Sequence, residues 1–345
     1  MANKYDEVYN YRLATIDDVD RIMAFIKREW AENHILANSK EFFIWMYGRD
    51  EYEDYKGINF VLMTDKNDDI LGVIGFVTYD KNNESISPAL TKVRPEGLLP
   101  MSGLEFMKRQ MQLVGEKEHF SFGTNPNTIK PLYEKVFHMT TGIMQQYFII
   151  NPDIRDYYIA KPNKEVRNKG FLETQYSLEE VYSFEEVKCR IDITATYEKM
   201  VFKSPEYIYK RFFRHPIYNY RKWIIKNELG DYVGIIFGRE IERDGAKVLR
   251  LVDYRGDLNQ LKNLGKPLHN LIKDEQYEYI DLMVSDLSGY HLEEAGFTLL
   301  DPDGETIIPH YFEPFVRENK KSCFQDKTGI VIFKADGDQD RPSTW

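Results

Sequence analysis

The same order of expected elements occurs twice along this chain, and that recurrence constrains the fold more than any single motif. In the first half, the run ILGVIGFV around Gly72 precedes a strand, a helix, a strand and a short helix ending near Phe137. In the second half, YVGIIFGR (Tyr232–Arg239) precedes the same series, ending at Gly296-Phe297. Gly72 lies 65 positions before Phe137, and Gly234 lies 63 before Phe297. Residue identity between the halves is slight, so what repeats is a pattern, as duplication of one domain would leave it. A chain of 345 residues is also long for a single core.

Periodicity and caps place the elements. Val8–Ala14 alternates as a strand, and Thr15 with Asp18 has capping-box spacing ahead of a helix to about Trp30. A second, aromatic-rich helix is expected over Lys40–Tyr47, followed by the hairpin INFVLMTD, KNDD, ILGVIGFVTYD. Next come a strand (Ile86–Val93), an amphipathic helix through Leu104, Met107, Met111 and Val114, and a strand (His119–Gly123). A helix (Ile129–Val136) and one long strand (Gly142–Ile150) complete the half. The polar, Pro- and Gly-bearing stretch 152–178 reads as a junction between domains 1–151 and 179–345. Beyond it, Phe184–Tyr197, Tyr220–Lys226, Val248–Tyr254, Tyr279–Val284 and Gly329–Lys334 are expected strands; Pro205–Phe213, Leu258–Lys273 and Tyr290–Ala295 are expected helices. The expected class is α/β (α+β), a mixed sheet in each half with helices packed on it.

Charge and composition exclude some functions. The net charge of -10 disfavours a nucleic-acid partner. No apolar run approaches the length of a membrane span, and the N-terminal residues MANKYDEVYNYR lack a signal-peptide core. Only two cysteines occur, Cys189 and Cys323, without metal-ligand spacing, which fits a reducing cytoplasm and no metal cofactor. Asp336, Asp338 and Asp340 alternate as a calcium loop begins, but the glycine and glutamate such a loop needs are missing.

The stretch VRPEGLLPMSGLEFMKRQ (Val93–Gln110) carries the most chemistry: a strand enters a loop with Gly97 and Gly103, and the loop opens into a helix. Free amides at the positive end of such a helix suit a pyrophosphate, although the same glycines also serve a plain connection and cap. Ser102 and Glu105 have capping-box spacing. Asp253 and Asp281 lie inside apolar runs, where a carboxylate is either hydrogen-bonded for structure or part of a site. His310 and Glu313 sit on an aromatic loop, and His215-Pro-Ile-Tyr218-Asn-Tyr220 offers rings for stacking or for filling a corner. Arg250 and Arg255 are candidates for a diphosphate.

This pattern resembles the GNAT acetyltransferase superfamily. The resemblance rests on the strand–Thr-x-x-Asp–helix opening, on Arg94-Pro-Glu-Gly97 with Leu99–Gly103, and on Asn127 with Leu132-Tyr133-Glu134-Lys135-Val136-Phe137. It covers residues 8–150; the loop is longer than usual, and Val136 stands where the family has glycine. The second half resembles the fold more weakly, through YVGIIFG and EEAGF, and its VLRLVDYRGDLNQLKN lacks a compact cradle. The resemblance implies two mostly antiparallel GNAT-like domains flanked by helices. It implies a coenzyme A thioester held by Val93, Arg94, Leu99, Met101, Ser102, Gly103 and Asn127. It also implies Tyr133 as the acid for the departing thiolate, with Asp253, Asp281 and His310 as candidate bases.

Paired GNAT halves are found in aminoacyl transferases of the FemABX type and in N-acyltransferases of nucleotide-linked amino sugars. HPIYNY, VLRLVDYRG and IIPHYFEPF are similar to the second group, specifically the enzymes acylating dTDP-linked 3-amino-3,6-dideoxyhexoses for surface polysaccharide. That likeness implies acceptor contacts from His215, Tyr218, Arg250, Tyr254, Arg255, Tyr311 and Glu313. The alternatives are an aminoacyl-tRNA-dependent transferase and a non-catalytic binder of coenzyme A or a nucleotide sugar.

Overall fold

A computed structural model describes residues 3–49, 57–81, 85–115, 118–124 and 129–337. The chain forms two compact units, one of Met1–Ser121 with the C-terminal end from Gly337, the other Phe122–Asp336. The sequence expectation had put the junction at 152–178.

In the first unit, β1 (Asn10–Thr15), β2 (Gly57–Thr64), β3 (Ile70–Thr78) and β4 (Ser85–Val93) pair antiparallel in chain order. β5 (Glu118–Thr124) then joins β4 in parallel. The glycines of ILGVIGFV have a packing reason. A Cβ on Gly72 would come within 3.0 Å of the Phe106 ring, and one on Gly75 within 2.7 Å of Phe60. The expected capping box forms: Asp18 accepts from the Thr15 backbone and is clamped by Arg12 at 2.7 and 2.8 Å. The helix Lys40–Tyr47 forms over the expected residues, with Phe43 stacked on Phe60.

The second unit repeats the order. β8 (Ser177–Glu180), β9 (Tyr220–Lys226), β10 (Tyr232–Arg243) and β11 (Ala246–Gly256) pair antiparallel, and β12 (Tyr277–Val284) joins β11 in parallel. β7 (Gln145–Ile150) and β13 (Thr298–Leu299) extend this sheet antiparallel beyond β12. Even the irregularities match: an extra residue bulges from β4 at Ala89, opposite Gly75 and Phe76, and its counterpart bulges from β11 at Val252, opposite Phe237 and Gly238. The helix Gly265–Asp274 covers the sheet with Leu268 and Ile272, packed with Trp223, Ile236, Leu249 and Leu251.

Several expected elements differ. The single strand Gly142–Ile150 is two strands, β6 (Thr140–Ile143) and β7, because the Met144 amide turns away to the Ser322 carbonyl. β6 pairs instead with β14 (Cys323–Asp326), a strand the sequence reading missed. Phe184–Tyr197 is not a strand; Ser183 caps a helix at Phe184–Lys188 by accepting from the Glu186 amide. Tyr290–Ala295 shrinks to a 3-10 turn at Leu292–Glu294. Gly329–Lys334 makes only isolated bridges, Met200 with Val331 and Val284 with Phe333, before a short helix at Lys334. No helix among the described residues is long and apolar enough to cross a membrane.

Candidate active site

In the first unit the ladder between β4 and β5 stops early. Ser85 pairs with Glu118 and Ile86 with His119, and further along the Ser121 hydroxyl donates to the Pro88 carbonyl at 2.8 Å. β4 leads into the loop holding the expected cofactor residues. Arg94 N–H donates to Leu71 O at 2.8 Å, and the Leu99 amide donates to the Tyr9 hydroxyl at 2.7 Å. Gly97 takes φ +77°, as glycine does readily. Met101 sits at φ +65° and is 60% exposed, a strained backbone for a non-glycine residue at a helix entrance.

The helix Ser102–Val114 begins without the expected capping box. Ser102 is its first residue and turns its hydroxyl to the Leu99 carbonyl at 2.7 Å, while Glu105 binds Arg109 and Asn3. Ser102 and Glu105 amides find loop carbonyls, but those of Gly103 and Leu104 have no partner among the described residues. A Cβ on Gly103 would meet only Val93 Cγ2, at 3.9 Å. Two free amides at a helix N-terminus with open space beside them fit a diphosphate.

Among the described residues, the matching strand end and helix start of the second unit offer no such opening. A Cβ on Gly265 would collide with Phe171, and one on Gly256 with the Tyr254 ring. The residues after the β11 bulge are engaged by the chain's own 331–336 segment. Phe333 bridges to Val284 at the end of β12 and packs near Tyr254. Lys203, fully buried, binds Asp253 at 2.6 and 2.7 Å and Asp336 at 2.7 Å. Burial raises the Asp336 carboxyl, against the attraction of Lys203. Asp253, Tyr254 and Arg255 therefore have structural partners. Arg255 donates to the carbonyls of Lys203, Ile193 and Ala195, and the Tyr254 hydroxyl to Asp257 O.

Arg250 and Asp281 are cross-strand neighbours on β11 and β12, both fully buried, 4.0 Å apart without a hydrogen bond. Arg250 donates to the Tyr279 hydroxyl and Pro309 O and lies 4.5 Å from the Tyr311 ring centre. Asp281 accepts from Gln146 at 2.7 Å. Burial pushes Asp281 up to about 6, outweighing the attraction of Arg250. The Tyr311 hydroxyl donates to Leu251 O, and His310 is buried with Nε2 2.9 Å from the Ser322 hydroxyl. Glu313 is tied to Lys320. His215 accepts from the Ile217 and Tyr218 amides, and Tyr218 lies under Arg239. Sequence reading missed Lys203, Gln146, Tyr279 and Ser322, which come from distant segments and carry no local signal.

Tyr133 lies on the helix Lys130–Lys135, 4% exposed, and desolvation pushes its hydroxyl up to about 12. Val136, where the resemblance leads one to expect glycine, has φ -106°; the positive φ falls on His138 instead, so this turn needs no glycine there. Asn127 lies outside the described residues, as do Asp338 and Asp340.

The chain is similar in fold to solved structures. A GCN5-related N-acetyltransferase from Anabaena variabilis aligns over 92% of this chain and 72% of its own, with TM-score 0.52 and 12% identity. A conserved protein of unknown function from Enterococcus faecalis V583 aligns over 94% and 72%, with TM-score 0.53 and 9% identity. The fold is GNAT-like. At these identities the likeness to GNAT structures concerns the fold alone. No family model matches the chain, and no curated protein matches it.

Proposed function

We propose that the chain is an N-acyltransferase using a coenzyme A thioester held by its first GNAT-like half. The observation that carries this reading is the uncapped start of the helix Ser102–Val114, with the Gly103 and Leu104 amides free beside open space. In this reading those amides bind the diphosphate, and Val93, Arg94, Leu99, Met101, Ser102 and Asn127 shape the cradle. Bound there, coenzyme A supplies an acyl group activated for attack by an amine.

Transfer forms a nitrogen–carbon bond as the carbon–sulfur bond breaks; the amine loses a proton and the sulfur gains one. Most of the rate then comes from positioning and from stabilising charge. Tyr133 is the proposed acid: its burial keeps the phenol protonated at neutral pH, the form that can hydrogen-bond and protonate a departing thiolate. The acceptor is the amine of a nucleotide-linked amino sugar, bound through the 179–345 half. This part rests on the likeness of HPIYNY, VLRLVDYRG and IIPHYFEPF to sugar N-acyltransferases of surface-polysaccharide pathways.

The test is a free-thiol release assay with acetyl-CoA and 3-hydroxybutanoyl-CoA against a panel of amino-sugar nucleotides, with products read by mass. The expected result is acceptor-dependent thiol release and a product heavier by one acyl group. Donor binding with no release across amine acceptors contradicts the catalytic reading.

A further inference from the structure

The segment 152–178, expected as a junction, builds a cleft of about 670 Å³ within the second unit. The segment carries little regular structure, yet it is pinned throughout. Asn168 both accepts from the Ile150 amide and donates to its carbonyl. Glu278 accepts from the amides of Tyr158, Ile159 and Ala160. Lys161 and Ile307 exchange two backbone bonds, at 2.9 and 2.8 Å. The Tyr157 hydroxyl donates to Asn151 O, and Arg317 donates to the Tyr157 and Tyr158 carbonyls. A loop held at this many points presents a preformed concavity of the size small ligands occupy.

Its chemistry is cationic on an acidic chain. Arg155, Lys161, Lys164, Arg167 and Arg317 line the cleft against one carboxylate, Asp156, whereas the whole chain carries 56 acidic and 46 basic residues. By contrast, the half-buried Arg12 pairs with Asp18, Arg109 with Asp6 and Arg221 with Glu180. Arg155, Lys161 and Lys164 enter no ion pair or hydrogen bond through their side chains among the described residues, and Arg167 spends one nitrogen on backbone carbonyls. Ile150, Tyr157 and Val166 supply an apolar wall. Concentrated positive charge beside an apolar, aromatic wall matches an anion attached to a ring. None of the acceptor residues expected from sequence lines this cleft.

We propose that the cleft at 150–168 with Arg317 binds an organic diphosphate of the size of a nucleoside diphosphate. Phosphate oxygens meet Arg155, Lys161 and Lys164, and the ring lies along Tyr157 and Val166. The site stands independently of the acyl-transfer reading, because binding needs neither a thioester nor turnover.

The experiment is a calorimetric titration of the full chain with ADP, UDP, inorganic pyrophosphate and uncharged uridine. The proteins are wild type, Arg155→Glu/Lys164→Glu, Lys27→Glu and Gly103→Val. Both cleft substitutions are at exposed positions without side-chain partners, so the fold is expected to persist. The expected result is saturable binding of a nucleoside diphosphate that weakens about tenfold or more in the cleft double variant. It is unchanged in Lys27→Glu, a charge reversal on an exposed residue of the first unit. Uridine binding as tight as UDP, no saturable diphosphate binding, or loss in Gly103→Val with retention in the cleft variant each overturns the proposal. Failure of the acyl-transfer reading would show separately, in the thiol-release assay.

Discussion

At Gly103 a valine would meet little of the protein itself, since its Cβ has only Val93 Cγ2 nearby, at 3.9 Å, and the backbone there is not left-handed. Gly103→Val is therefore expected to leave stability near wild type while weakening coenzyme A binding about tenfold or more, read by titration. Tyr133→Phe removes a hydroxyl with no hydrogen-bond partner among the described residues; it is expected to lower kcat with little change in donor affinity, checked by steady-state kinetics. Asp281 gives a pH signature. Its folded value near 6 exceeds the ordinary 3.8, so the unfolded chain ionises first as pH rises. Stability from this group is complete below about pH 4, falls as pH rises toward 6, and then levels, by about 3 kcal/mol in all. Urea midpoints across this range should fall for wild type relative to Asp281→Asn; parallel curves would contradict the account.

Among elements, the GNAT-like hairpins were legible because β2, β3 and β10 carry apolar runs bounded by turn residues. The break at Met144 was not, since GIMQQYFII is one apolar-aromatic run and only the distant Ser322 carbonyl divides it. The helix at Phe184–Lys188 was legible in principle, because Ser183 and Glu186 have capping-box spacing that the aromatic content around them obscured. At the loop leading into the helix Ser102–Val114 the opposite happened. Ser102 and Glu105 have the right spacing, but their side chains bond to Leu99 and Arg109 and leave the helix start uncapped. The Lys203 cluster fixes the segment 331–336 against β11. Lys203→Met leaves two buried carboxylates without their cation and is expected to cost about 3–5 kcal/mol, measured by denaturant unfolding.

For the whole molecule, the repeat seen in the sequence is a repeat in three dimensions, in strand order, strand direction and bulge position. The pattern of glycines and apolar runs was enough to show it, since each half must cover a sheet face with its own helices. What the sequence could not show is that the halves end differently. Phe171 and the 331–336 segment come from outside the repeated pattern, and they fill in the second half what stays open at Gly103 in the first. A titration of acetyl-CoA against wild type and Gly103→Val, read for both affinity and stoichiometry, tests this most directly. The account predicts one site per chain in wild type and its loss in the variant. Two sites per chain, or one that survives Gly103→Val, would contradict it.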